Sequence, residues 1–91
     1  MIDPKVVREA AEAFPPGETI VEEMQARGWT QAELAGAMHT TVRDLELLLK
    51  GERKLWVRDA EHLAHAFGTS TTLWLNLERH YRRWEAVRGS R

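Results

Sequence analysis

The stretch Thr30–Gly51, TQAELAGAMHTTVRDLELLLKG, constrains this chain more than any other, because it fixes two helices and the turn between them. Thr30 is placed to accept a hydrogen bond from the first backbone N–H groups of a helix. Glu33, three residues on, is placed to accept from the Thr30 N–H, giving a capping box. Trp29 and Leu34 flank that cap at the spacing of a hydrophobic staple. Leu34, Ala35 and Met38 then share one helical face, and Ala35 is small enough for a second helix to cross closely. His39-Thr40 breaks the period. Thr41 offers a second cap, Thr41-x-x-Asp44 has capping-box spacing, and Leu45, Leu48 and Leu49 form the next apolar stripe. Gly51 supplies the stop. The pattern is a helix-turn-helix, whose second helix is placed to enter a DNA major groove.

The flanks narrow the reading. Pro15-Pro16-Gly17-Glu18 precedes the motif, and Phe67-Gly68-Thr69-Ser70 and Leu73-Trp74-Leu75-Asn76-Leu77 follow it. With these, Thr30–Arg53 resembles the Cro/lambda-repressor type of helix-turn-helix. The chain from about Pro15 to Trp84 is similar to the HigA family, the DNA-binding antitoxins of HigBA toxin–antitoxin modules. The resemblance implies an all-α, five-helix lambda-repressor-like domain over residues 15–91, ending in a dimerisation helix. Residues 1–14 form an accessory arm, with room there for an additional helix. It also implies a homodimeric repressor that binds double-stranded operator DNA, regulates its own operon and neutralises a HigB-type toxin, a ribosome-dependent messenger-RNA endonuclease.

Within that pattern, Gln31 takes the place of a glutamine that meets a backbone phosphate, a role suited to an amide at the positive end of a helix. The outward positions of the second helix are Thr41, Val42, Arg43, Asp44, Glu46, Leu47 and Lys50. Arg43 is the strongest base reader, since its planar fork matches guanine O6 and N7, while Val42 suits a thymine methyl and Glu46 a cytosine N4. Thr41 and Leu47 complete the base-facing set. Lys50 and Arg53, at the helix end and in the next loop, are expected on phosphates. The turn His39-Thr40-Thr41 departs from the family's usual Gly-Val-Ser-like turn, whose first position the resemblance implies at positive φ; Asp44 and Glu46 place two carboxylates where DNA would lie, and Leu47 stands where the family often has a polar or basic residue.

Charge bears on the same question. The net charge is −1, low for a protein that must offset phosphates. The halves differ: residues 1–50 carry five basic and nine acidic side chains, and residues 51–91 carry eight and five. A dipolar chain can still present one basic face. The sequence contains no cysteine, which excludes disulfides and thiolate chemistry. No apolar run approaches the ~20 residues that cross a bilayer, and Met1-Ile2-Asp3-Pro4 does not read as a signal peptide. The expectation is a cytoplasmic protein.

Around the motif, Asp3-Pro4 opens a short amphipathic segment, Lys5–Phe14, which Pro15-Pro16 ends. Gly17–Arg27 reads as the first core helix, with Ile20, Val21 and Met24 inward and Gly28 as its stop. Leu55-Trp56 returns the chain to the core, and Val57–Phe67 buries Ala60, Leu63, Ala64 and Phe67. Ser70 caps a last helix running to about Val87. There Leu73, Trp74, Leu77, Tyr81 and Trp84 recur every three or four residues, more aromatic surface than a small monomer buries easily, and are expected at a dimer interface. Arg79, Arg82, Arg83 and Arg88 are expected on its solvated side.

Catalytic signatures are lacking: there is no Gly-rich phosphate loop, G-x-S-x-G or H-E-x-x-H. His62 and His65, with Glu61, do not amount to a metal site without a third ligand and its supporting shell. No enzyme activity, cofactor or metal is expected. Two rival readings remain: a protein-binding module that has kept the fold and lost DNA, and a stand-alone repressor without a toxin.

Overall fold

The structure, a computed structural model, describes residues 14–89, with side chains placed through residue 87. The accessory arm expected over residues 1–14 therefore lies outside the described residues except for Phe14, and so does the Arg88 side chain. Among the described residues there are five helices and no strand: α1 Pro16–Arg27, α2 Gln31–Ala37, α3 Val42–Leu49, α4 Val57–Phe67 and α5 Thr71–Gly89.

Each boundary has a local cause. Pro16 occupies the first turn of α1, where a missing N–H is harmless, and Gly28 ends the helix in the left-handed conformation at φ 67°. Thr30 and Glu33 form the complete capping box of α2: the Glu33 N–H donates to Thr30 Oγ1 at 3.1 Å, and the Thr30 N–H donates to Glu33 Oε1 at 2.9 Å. That bond holds the Glu33 carboxyl below its ordinary pKa. The turn places His39 at φ 58°, the positive value the resemblance implies. Thr41 then caps α3 by accepting from the Asp44 N–H at 3.0 Å. Ser70 Oγ accepts from the Leu73 N–H at 3.1 Å to start α5.

The core gathers Ile20 and Met24 from α1, Leu34, Ala35 and Met38 from the motif's first half, and Leu45 and Leu48 from α3. Leu55, Ala60, Leu63, Phe67 and Trp74 complete it. Phe67 links the two ends of the domain. Its ring lies 5.5 Å from Trp29 and 5.9 Å from Trp74, and the Arg27 guanidinium stands over it at 4.9 Å. Arg27 also donates to the Phe67 carbonyl at 2.8 Å, so the α1–α2 corner is fastened to the end of α4.

Two expectations from the sequence are corrected here. Leu55 is buried as expected, but Trp56 beside it is 62% exposed. The one residue that must dive into the core is Leu55, and the next position in an extended segment points the other way. Trp74, assigned above to a dimer interface, is completely buried in its own chain, with Nε1–H donating to Thr69 Oγ1 at 2.7 Å.

The approach of α1 to α3 rests on a position that the sequence pattern leaves silent. A Cβ on Gly17 would stand 2.0 Å from the Leu49 carbonyl oxygen, so the two backbones meet with no room for a side chain. Gly17→Ala is expected to destabilise the fold by ~1–3 kcal/mol through overpacking. Denaturant unfolding tests this, and a gain in stability, as from an ordinary helix glycine replaced by alanine, would show that the helices do not pack this closely.

Candidate nucleic-acid interface

The second helix of the motif, α3, buries Leu45 and Leu48 and leaves one ridge in solvent. Thr41, Val42, Arg43, Glu46, Leu47 and Lys50 are all exposed on it, and Gln31 is exposed at the first position of α2. Val42 and Leu47 keep 39% and 37% of their surface. The structure thus places every expected base-facing side chain on the open side, together with Gln31 and Lys50.

Asp44 and Arg53 behave differently from the sequence expectation. The Asp44 side chain does not reach back to cap Thr41. Its Oδ2 accepts from the Thr40 hydroxyl at 2.7 Å and from Arg53 Nη2 at 2.9 Å. Arg53, expected on a phosphate, is bound internally. Nη1 and Nη2 donate to Asp59 Oδ2 and Oδ1 at 2.8 and 3.0 Å, and Nη1 also donates to the Lys54 carbonyl at 2.8 Å. The fork is bidentate on Asp59, which in turn accepts from the Trp56 N–H at 2.8 Å at the start of α4. With 19% of its side chain accessible, Arg53 is a structural cation and no longer a free phosphate donor.

The arrangement extends to α5. Arg82, assigned above to a solvated basic face, is half-buried. Nε donates to Glu78 Oε2 at 2.9 Å, Nη1 to Glu85 Oε1 at 3.2 Å, and Nη2 to the Arg53 and Gly51 carbonyls at 3.1 and 3.4 Å. The last helix therefore holds the loop that follows α3 by its backbone, and that loop holds α3 by Asp44.

Beside this network lies a half-open cleft of about 670 Å³, bounded by His39, Thr40, Asp44, Arg58 and His62 among others. The His39 and His62 rings meet edge to face, with centroids 5.3 Å apart. His62 thus faces the turn, and the described residues contain no cluster of three or more metal-ligating side chains. Arg58 is the cation that sequence reasoning missed. It is exposed and near enough to lower the Asp44 pKa, yet fourteen residues away in the chain, so only the packing of α4 against the motif reveals it.

Along α5 the single apolar stripe is cut in two, because adjacent residues such as Leu73 and Trp74 point about 100° apart around the helix. Trp74 and Tyr81 turn toward the domain with the buried Glu78, and Arg82 lies beside them. Leu73, Leu77, Trp84 and Val87 follow a neighbouring line: Leu77 still packs against the core and the Trp84 ring stacks on Tyr81 with centroids 6.0 Å apart, while Leu73 is 40% and Val87 69% exposed. Burial, reinforced by the hydrogen bond to Glu85, raises the Tyr81 pKa.

The Thr40 hydroxyl first, and then Arg53, hold the Asp44 carboxyl below its ordinary range, although burial opposes them. A depressed folded pKa means that the stabilisation is present at neutral pH. It fades once pH falls through the unfolded value of ~3.9 toward the lower folded one. The stability advantage of wild type over Asp44→Asn should therefore shrink between about pH 5 and pH 3. Thermal melts that fall in parallel over that interval would refute this assignment.

No protein-family model matches the chain, and no curated protein matches it. Solved structures do. An addiction-module antidote protein of the HigA family from Coxiella burnetii aligns at a TM-score of 0.80 with 29% identity, over 87% of each chain. A candidate antidote protein of a plasmid maintenance system from Nostoc punctiforme aligns at 0.80 with 26% identity, over 86% of each. The Pseudomonas aeruginosa antitoxin HigA, solved with the higBA promoter, shares the fold at a TM-score of 0.79 and 24% identity, over 86% of each. With similarity of this degree over most of its length, the chain carries a HigA-type antitoxin helix-turn-helix fold.

Proposed function

We propose that this protein is a sequence-specific DNA-binding repressor of the HigA antitoxin type, which regulates its own operon and neutralises a HigB-type toxin. The observation that carries the DNA-binding part is the α3 ridge. Arg43 and Lys50 stand in solvent while the Asp44 carboxylate, which would repel phosphate, is neutralised from behind. The exposed charges left on the ridge are Arg43, Glu46 and Lys50. The fold neighbour solved with promoter DNA supports the same reading, and the HigA-family neighbour supports the toxin partner. Gln31 and Lys50 position the phosphate backbone, and Thr41, Val42, Arg43, Glu46 and Leu47 face the base edges. Two copies of α3 related by a two-fold axis would read half-sites about 34 Å apart, one turn of DNA.

Selection from a random duplex pool at ~100 mM salt tests this. A two-fold-related sequence should be enriched. On that duplex Arg43→Ala should cost ~1–3 kcal/mol and relax one base pair, whereas Lys50→Ala should weaken all sequences alike and reduce the salt slope by about one. Enrichment of nothing above bulk DNA would overturn the repressor reading. It would favour a partner-binding module using the exposed Glu46 and Leu47.

The dimer belongs to the same proposal and uses Leu73, Leu77, Trp84 and Val87 of α5, of which Leu73 and Val87 are exposed, without Trp74. Since Leu73 is 40% exposed, Leu73→Glu should leave the monomer folded and raise the dimer dissociation constant by about tenfold or more, by burying a charge against apolar side chains. Analytical ultracentrifugation gives the answer, and a wild type that sediments as a monomer at high micromolar concentration would remove the dimer.

A further inference from the structure

We infer that Arg53 is a positioning residue for DNA reading, which acts through Asp44 and not on phosphate: it neutralises the one carboxylate in the first turn of α3 and ties that turn to α4. The inference rests on the DNA-binding reading and deepens it. Asp44 has a local reason to be acidic, because it sits at the third position of α3, near the positive end of the helix, and accepts from the Thr40 hydroxyl in the turn. The same position lies in the part of a recognition helix that approaches the duplex, where a bare carboxylate repels phosphates. Arg53 resolves the conflict. Nη2 bonds Asp44 while both Nη atoms hold Asp59, so the guanidinium spans α3 and α4. Its backbone carbonyl is fixed in turn by Arg82 from α5. All four Nη N–H positions are taken by Asp44, Asp59 and the Lys54 carbonyl, and the remaining Nε is buried, so a phosphate could engage Arg53 only by displacing one of these partners. Glu46, two residues beyond Asp44, is exposed and forms no ion pair among the described residues, so the two acids of α3 are electrostatically different.

Affinity for the selected duplex, measured against salt concentration, separates the two roles of Arg53. Arg53→Gln uncovers Asp44 and should weaken binding by about tenfold. Adding Asp44→Asn should recover at least half of that loss on a logarithmic scale. The double variant carries the same net charge at these two positions as wild type, so its salt slope should match wild type's. A phosphate contact behaves otherwise: the double variant would show no recovery and a slope lower by about one. Lys50→Gln provides that pattern as a control, and circular dichroism reports whether each variant is folded. Should removal of Arg53 unfold the domain, the single variants decide. Glu46→Gln should raise affinity at low salt, and Asp44→Asn should gain less than twofold because its charge is already compensated. An equal gain from both would overturn the inference. A wild type that binds no duplex, while remaining folded, would instead overturn the DNA-binding reading and this assignment with it.

Discussion

The guanidinium of Arg53 lies between two carboxylates, Asp44 nine residues before it and Asp59 six residues after it, and the placement of the motif depends on that junction. Helices α2 and α3 are each only two turns long, too short to be stable alone. Their orientation must come from what they rest on. Apolar packing through Leu45 and Leu48 brings α3 to the core but leaves rotation about its own axis weakly defined. A bidentate pair to Asp59 and a further bond to Asp44 add direction, since charge-assisted bonds tolerate little misalignment. The partly buried pair is weak evidence of added stability, because desolvation offsets much of the attraction. Its contribution is geometric.

A second fastening acts at the opposite end of the molecule. Phe67 collects Trp29, Trp74 and Arg27, so the residue that ends α4 also supports the corner leading into α2 and the first turn of α5. Arg82 closes the loop from the other side by holding the Gly51 and Arg53 carbonyls. The long final helix thus fixes the frame in which α3 is presented. It does so with Trp74, Glu78 and Arg82, while Leu73 and Val87 stay exposed on a different face of the same helix.

Much of this was legible in order along the chain. Thr30 with Glu33, Thr41, Ser70, and the glycines at 28, 51 and 68 announce helix ends, because capping and positive φ depend on residues a few positions apart. The apolar periods of α2, α3 and α4 announce their buried faces for the same local reason. The positive φ at His39 was legible only through the resemblance to a turn that usually begins with glycine, because histidine itself does not call for that conformation. The exposed ridge of α3 followed from subtracting its buried stripe.

What the tertiary structure decided are the contacts between residues far apart in sequence. A loop arginine looks free until Asp59 and Asp44 are brought to it, and Arg82 looks solvated until the loop carbonyls arrive. Gly17 appears an ordinary helix residue until the Leu49 carbonyl occupies the space a Cβ would fill. The α5 stripe illustrates the same limit: spacing of three and four marks a broad apolar sector but does not say where a neighbouring helix cuts it. Packing of α5 on α4 made that cut between Trp74 and Leu73. Local sequence determines helices, caps and faces through short-range hydrogen bonding and periodicity. Charge partners and close backbone approaches arise only when segments distant in the chain share one small core.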